Sequence, residues 1–328
     1  MLIKNLLIAT KVCKMIKILK EGVNTREEIF SVVEPKVDVE KIVEEIIDNV
    51  KTNGDKALYE YALKFDKANL TDLAVSKEEI DEAVANCDKE FLSVLEKAKE
   101  NIYAFHQKQY REGFEIRKEN GIILGQKIIP IEKVGLYVPG GTASYPSTVL
   151  MDAIPAKIAG CKQVVMVTPP DKNGKINPAI LASAYIAGVD KIFKVGGAQA
   201  IGALAYGTES VPKVDKIVGP GNAFVATAKK QVFGKVSIDM IAGPSEIMVV
   251  ADKFSNAKWV SADLLSQAEH DKLASAVLIT DSDELAKEVQ KEIEVQLEKL
   301  DRKEIARESI DQNGKIIVVK DIESAIKM

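Results

Sequence analysis

Two side chains in the stretch Ser266-Gln267-Ala268-Glu269-His270-Asp271 have the chemistry of metal donors. His270 is one of only 2 histidines in 328 residues, so few other groups here can bind a soft divalent metal or carry protons near neutral pH. Gln267 and His270 stand three apart, a spacing that puts both on one face of a helix. An amide oxygen and an imidazole nitrogen so placed suit neighbouring positions around one metal ion. The same residues close an apolar-periodic run that starts near Asn256. A histidine at a helix end commonly serves as a cap or a packed polar group. Taken alone, the stretch leaves both readings open.

A second kind of chemistry lies in loops rich in glycine and proline. Pro139-Gly140-Gly141-Thr142-Ala143-Ser144-Tyr145-Pro146-Ser147 follows an expected strand, as do Thr168-Pro169-Pro170, Gly196 to Gly202, and Gly219-Pro220-Gly221-Asn222. Ala242-Gly243-Pro244-Ser245-Glu246 completes the set and leads toward the Gln267/His270 helix. In open α/β sheets ligands bind outside the carboxyl ends of strands, where glycine lets backbone come close. None of these loops spells GxGxxG with an acidic residue about twenty positions later, and no phosphate loop of the GxxxxGK[ST] type occurs. What they offer instead is backbone N–H and amide groups for a neutral or anionic cofactor, without an arginine clamp. Nucleophiles have less support. Cys161 sits between an expected helix and strand and reads as a packed connector. Ser245 is not in a GxSxG elbow.

The elements that must position these loops follow from periodicity. Val39, Ile42, Val43, Ile46, Ile47 and Val50 define an amphipathic helix stopped by Asn53-Gly54. A second helix is expected from Asp55 as N-cap, burying Leu58, Tyr61, Ala62 and Phe65. Ser76-Lys77-Glu78-Glu79 opens a third as a capping box. Phe91, Leu95, Ile102 and Phe105 mark a fourth, running to about Tyr110 and carrying His106, a structural histidine with only Gln109 in reach. Residues 114–131 alternate and predict two or three antiparallel strands. Beyond them, strands near 134–138, 163–168, 191–195, 215–218, 246–251, 274–280 and 315–319 alternate with helical patterns. That order implies a mostly parallel sheet with helices on both faces.

Composition sets outer limits. An apolar fraction of 46%, 29% charged residues and a net charge of -4 with scattered lysines fit a water-soluble globular protein and give no nucleic-acid footprint. Cys13, Cys87 and Cys161 lack CxxC spacing, which fits a reducing cytoplasm and argues against a cysteine zinc site. The apolar run Leu6 to Thr10 is too short for a signal segment or a membrane span. Met1 to Lys20 reads as a surface helix or strand, or as an extension ahead of a natural start at Met15.

Taken together, five stretches resemble histidinol dehydrogenase: Gly135 to Gly141, Gly196 to Ala200, Gly219 to Ala223, Ala242 to Glu246, and Asp263 to His270. The resemblance spans roughly Met15 to Met328. It implies a homodimeric enzyme that takes L-histidinol through the aldehyde to L-histidine by two NAD-dependent hydride removals, with one zinc per site. Residue by residue, Gln267 and His270 match zinc ligands. Ser245, Gln267 and His270 match substrate contacts, and Tyr137, Gln199 and Asn222 match NAD contacts. The implied fold is α/β: two mostly parallel, doubly wound, incomplete Rossmann-like domains, aldehyde-dehydrogenase-like, with a helical N-terminal region. Expected boundaries are an N-terminal extension and helical arm at 1–32, a discontinuous domain of 33–136 plus 245–328, and a nucleotide domain at 137–244 inserted in it.

One part of the family pattern is expected beyond Met328: the Glu-His pair that manages proton transfer, and the other two zinc ligands. No histidine follows His270 in these residues. Two other readings therefore stay open. One is a fragment that folds and binds nucleotide or a partner chain without turnover. The other is an aldehyde dehydrogenase relative with Cys161 as nucleophile, which would act on simple aldehydes and lose that activity in Cys161→Ala.

Overall fold

The structure, a computed structural model, describes residues 15–33, 39–140, 145–241, 243 and 245–328. In chain order the first strands are β1 (Lys17–Lys20), β2 (Phe114–Arg117), β3 (Ile123–Gln126), β4 (Lys133–Tyr137), β5 (Gln163–Thr168) and β6 (Lys191–Lys194). The rest are β7 (Lys216–Val218), β8 (Ser237–Ile238), β9 (Glu246–Ala251), β10 (Ser275–Thr280) and β11 (Lys315–Val318). The first helices are α1 (Arg26–Phe30), α2 (Val39–Tyr61), α3 (Lys77–Ala85), α4 (Lys89–His106), α5 (Pro146–Ile158) and α6 (Pro178–Ala187). They continue with α7 (Gly197–Tyr206), α8 (Ala223–Val232), α9 (Ala257–Ala268), α10 (Asp283–Leu297), α11 (Lys303–Asn313) and α12 (Ile322–Lys327). By contacts the chain forms two units, Asp38–Gly243 and Met1–Val37 with Pro244–Met328.

The unit Asp38–Gly243 is built on a five-stranded parallel sheet in the order β6-β5-β4-β7-β8. Period-two alternation assigns its faces. Val134, Leu136, Val164 and Met166 pack with α3, α4, α5 and α6, while Tyr137, Val165, Val167 and Ile217 pack with α2, α7 and α8. Strands buried on both faces read as continuous apolar runs, as in Gln163–Thr168.

Several expectations change here. The sequence reading groups 33–136 with 245–328, but Val43, Ile46, Ile47 and Val50 of α2 share an apolar core with α7 and α8, and α4 packs on α5 and α6. The expected stop at Asn53-Gly54 holds: Gly54 (φ 51, ψ -133) is non-helical and separates two helical stretches of α2, the second of which runs on to Tyr61. Asp55 is not an N-cap: its carboxylate accepts from the Thr208 hydroxyl (2.6 Å) and from Ser210, while its own N–H donates to the Glu209 carboxylate (2.8 Å). Phe65, expected to be buried, is 47% exposed. Residues 114–131 hold one antiparallel hairpin, β2–β3, whose residues are exposed throughout. The Ser76 capping box forms as expected.

The second unit carries a four-stranded parallel sheet, β1-β11-β10-β9. Helices α9, α10 and α11 cover one face, and α1 with α12 pack on the other. Residues 17–20, expected within an extension and arm, are an edge strand pairing Lys17 with Lys315. The buried Lys315 Nζ donates to the carbonyls of Ile29 (2.9 Å) and Ser31, which fastens the end of α1. The possible start at Met15 concerns residues 1–14, outside the described residues.

Candidate functional site

From β4 the chain winds to β5 and β6 on one side, then crosses back to β7 and β8 on the other. The strand order therefore reverses between β4 and β7, and in such sheets the crevice at the carboxyl ends of the reversing strands is where ligands bind. A cavity of about 530 Å³ lies there, within the range of small-molecule sites. Its floor comes from the loops singled out above: Tyr137 and Gly140 after β4, Pro169 and Pro170 after β5, Gly197 to Gln199 after β6, and Asn222 with Phe224 after β7. Ile42 and Ile46 of α2 close it, together with Phe65 and Asp66 from the π-helical turn Ala62–Asp66. Gly141 to Ser144 of the first loop, with Ala242 and Pro244 of the last, are outside the described residues.

The cavity thus brings together Tyr137, Gln199 and Asn222, which are far apart in sequence. The Tyr137 hydroxyl accepts the Gly197 N–H at 3.1 Å. Burial pushes that hydroxyl up to about 12, so it keeps its own proton at any working pH. Gln199 is buried in the first turn of α7. Asn222 caps α8, its Oδ1 accepting from the N–H groups of Phe224 (3.1 Å) and Val225 (3.2 Å). The positive ends of two helices, α7 and α8, begin at this edge and favour an anionic group.

The Gly219 loop is held from beneath. The buried Lys229 ammonium donates to the Gly219 carbonyl (2.9 Å) and pairs with Asp239, which accepts the Gly219 N–H (2.9 Å). Gly219 has φ 113, and a Cβ there would run into the Tyr137 carbonyl oxygen. Asp152 of α5 lies against the same loop, with a buried Oδ2 that has no hydrogen-bond partner among the described residues. Burial first, and the Asp239 charge second, push its carboxyl up to about 7, with Lys229 opposing. The folded state therefore holds a proton that the unfolded chain has lost, and this contribution to stability fades as pH rises from about 4 to about 7. Asp152→Asn should raise stability by roughly 1–2 kcal/mol at pH 8 and by much less at pH 5.5. Urea unfolding at the two pH values checks this; an equal change at both would refute it.

In the second unit Asn256, near which the apolar run was expected to start, caps α9 by accepting from the Lys258 N–H (2.9 Å). The helix ends at Ala268, two residues short of His270, which corrects the expectation of one continuous helical face. The His270 N–H donates to the Gln267 carbonyl (3.1 Å) in a tightened i→i+3 turn. In such a turn positions i and i+3 eclipse, so Gln267 and His270 stay on the same side. Gln267 is half-buried and His270 exposed. Ser245 is exposed just ahead of β9, where its carbonyl accepts the Ser275 N–H (3.1 Å). Because α9 leads into the start of β10, Ser245, Gln267 and His270 all lie at the amino edge of the sheet. The carboxyl-end rule therefore does not describe this cluster.

An amide oxygen and an imidazole nitrogen fit two positions of a zinc shell. Among the described residues no group of three or more His, Cys, Asp or Glu side chains could hold a metal. His106 is half-buried with its Nδ1 on Gln109 Oε1 (2.7 Å), the structural role expected of it. Cys161 is half-buried against an apolar cluster, and burial raises its thiol, which disfavours a nucleophile. Sequence reasoning missed Ile42, Ile46 and Asp66 as cavity walls. They sit on helices remote in sequence from every glycine loop, so no local signal marks them.

A doubly wound parallel sheet with a small-molecule-sized cavity at its reversal point puts this unit among the α/β folds that bind ligands at a topological switch point. A family model described as histidinol dehydrogenase matches residues 32–328. Histidinol dehydrogenase of Bacillus thuringiensis subsp. konkukian is 55% identical over 318 residues, covering 97% of this chain and 72% of that protein. That of Clostridium acetobutylicum is 53% identical, covering 96% of this chain and 74% of that protein. The crystal structure of histidinol dehydrogenase from Elizabethkingia anophelis superposes with a TM-score of 0.87 at 41% identity, over 95% of this chain and 72% of that one. The chain belongs to the histidinol dehydrogenase family, NAD-dependent oxidoreductases of histidine biosynthesis.

Proposed function

We propose that the β4/β7 cavity holds NAD through Tyr137, Gln199 and Asn222, and that Ser245, Gln267 and His270 bind L-histidinol for oxidation through L-histidinal to L-histidine. The observation that carries this reading is the convergence of Tyr137, Gln199 and Asn222 on one cavity at the sheet's reversal point. Each oxidation passes a hydride from the substrate carbon to the nicotinamide and releases a proton. The second also adds a water oxygen to the aldehyde carbon, so one histidinol consumes two NAD and one water. The chain's part in the cofactor half is orientation: Gly197 fixes the Tyr137 hydroxyl, and Asn222 holds the first turn of α8 toward an anionic group. Apolar walls at Ile42, Ile46 and Phe65 exclude water from one side of the cavity.

Gln267 and His270 would hold zinc, which when bound orients the substrate imidazole and amine. Their donor chemistry supports two positions of that shell. In a relative such as that of Bacillus thuringiensis, the change equivalent to His270→Ala should abolish zinc retention through dialysis while leaving stability nearly unchanged. A cap-only His270 would instead cost about 0.5–2 kcal/mol and leave the metal in place. His106→Ala should leave both metal and turnover intact.

A second reading is nucleotide binding without turnover, which fits the finding that among the described residues no group of three or more His, Cys, Asp or Glu side chains could hold a metal. A homodimer is supported by the β2–β3 hairpin, which exposes Phe114, Ile116, Ile122, Ile123 and Leu124. Two-stranded hairpins are marginal alone, and exposed apolar patches mark association surfaces. Sedimentation velocity should give a dimer that Ile116→Lys with Leu124→Lys converts to monomer; a monomeric parent would refute it. Action in the cytoplasm is supported by the cysteine pattern, and no helix among the described residues is long and apolar enough to cross a membrane.

A further inference from the structure

We propose that Asp66 receives the adenosine ribose of the cofactor and makes the cavity select NAD over NADP; this rests on the reading of the β4/β7 cavity as the cofactor site. Asp66 ends the π-helical turn Ala62–Asp66, and Lys67 follows in the left-handed region (φ 59). The Ala68 N–H closes back on the Ala62 carbonyl at 3.1 Å, which fixes the direction of the turn. Among the described residues lining the cavity, Asp66 is the one carboxylate, and none is lysine or arginine. Its Oδ2 is buried and has no hydrogen-bond partner among the described residues. Nothing in the Gly141 to Ser144 segment could supply a cation.

A buried acceptor without a donor costs free energy until a ligand supplies one. Burial alone pushes the Asp66 carboxyl up to about 6, so it is ionised near pH 7.5. An ionised carboxylate against the apolar walls of Ile42, Ile46 and Phe65 calls for a neutral ligand with hydroxyl donors. The ribose diol of NAD is such a group. In NADP a phosphate dianion replaces the 2′-hydroxyl: it removes one donor and sets like charges together with no cation between them. Specificity then comes from repulsion as much as from the new hydrogen bond. A carboxylate about twenty residues after GxGxxG does this work in many dinucleotide folds. Here the acid comes from a helix upstream of the sheet, which is why no fingerprint spacing reveals it.

Fluorescence titration of the 328-residue chain with NADH and with NADPH tests the assignment at pH 7.5. The parent should favour NADH by more than about tenfold. Asp66→Asn and Asp66→Ser should weaken NADH several-fold and narrow the NADH/NADPH ratio by about tenfold, the scale of one charge-assisted hydrogen bond plus one removed repulsion. Circular dichroism confirms that both variants fold, and having two of them guards against a lesion peculiar to either. If NADH binds the parent and the ratio is unchanged in both variants, the role of Asp66 is overturned while the cofactor site stands. If the parent binds neither nucleotide at millimolar concentration, the cofactor reading falls and the proposal with it.

Discussion

Assayed as a polypeptide of these 328 residues, the protein should oxidise histidinol at least about 10³-fold more slowly than the longer Bacillus thuringiensis relative, of which it spans 72%, even with zinc added. Removing a hydride from an alcohol needs a base for the hydroxyl proton, and hydrating the aldehyde needs another; each positioned base contributes about 10²–10⁴-fold. The acids beside the substrate-side residues are poor substitutes. Glu246 is exposed at the first position of β9, and Glu269 caps α9 one position before His270, on a different side of the turn from Gln267 and His270. Two zinc donors leave the ion mostly hydrated, since stable sites use three or four protein ligands. The chain should therefore lose zinc to a mild chelator. Losses at the two oxidations compound, although such effects seldom add strictly. NADH formation from histidinol and from histidinal is the assay. Turnover within tenfold of that relative would overturn the expectation and make Glu269 the first residue to replace.

The largest structural effect is expected at Gly219. Gly219→Ala places a methyl group against the Tyr137 carbonyl at a φ that side chains rarely adopt, and Lys229 and Asp239 hold the loop so that it cannot slide away. Strain plus the clash should cost about 2–4 kcal/mol and weaken NADH by more than about tenfold. Gly234→Ala is the control. Its φ is 96 but a Cβ there would meet nothing within 4 Å, so only the conformational cost of about 1 kcal/mol applies. Equal losses at the two positions would show that close approach to Tyr137 is not what Gly219 provides.

Apart from β1 and the two-residue β8, the strands of both parallel sheets were legible because buried parallel strands are short apolar runs closed by glycine or proline, as Val164 to Val167 before Thr168-Pro169-Pro170. The glycine-rich loops at the cavity were legible for the same reason. The strand order was not, and with it the distinction between edges: the Ser245 loop resembles the others in composition, yet it precedes its strand. Residues 17–20 could be read only as helix or strand, because four residues carry little alternation and their partner, β11, lies about three hundred positions away in sequence. Asp66 and Asp152 were invisible because their chemistry comes from desolvation by residues distant in the chain. Phe65 was misread because helical periodicity marks an apolar residue without saying whether it meets a core or a cavity.

The most direct test of the cofactor assignment is a crystal structure of the chain grown with NADH at saturating concentration. The dinucleotide should lie across the carboxyl ends of β4 and β7, with its groups on Tyr137, Gln199 and Asn222 and a ribose against Asp66. Nucleotide density elsewhere, with that crevice holding only solvent, would contradict it.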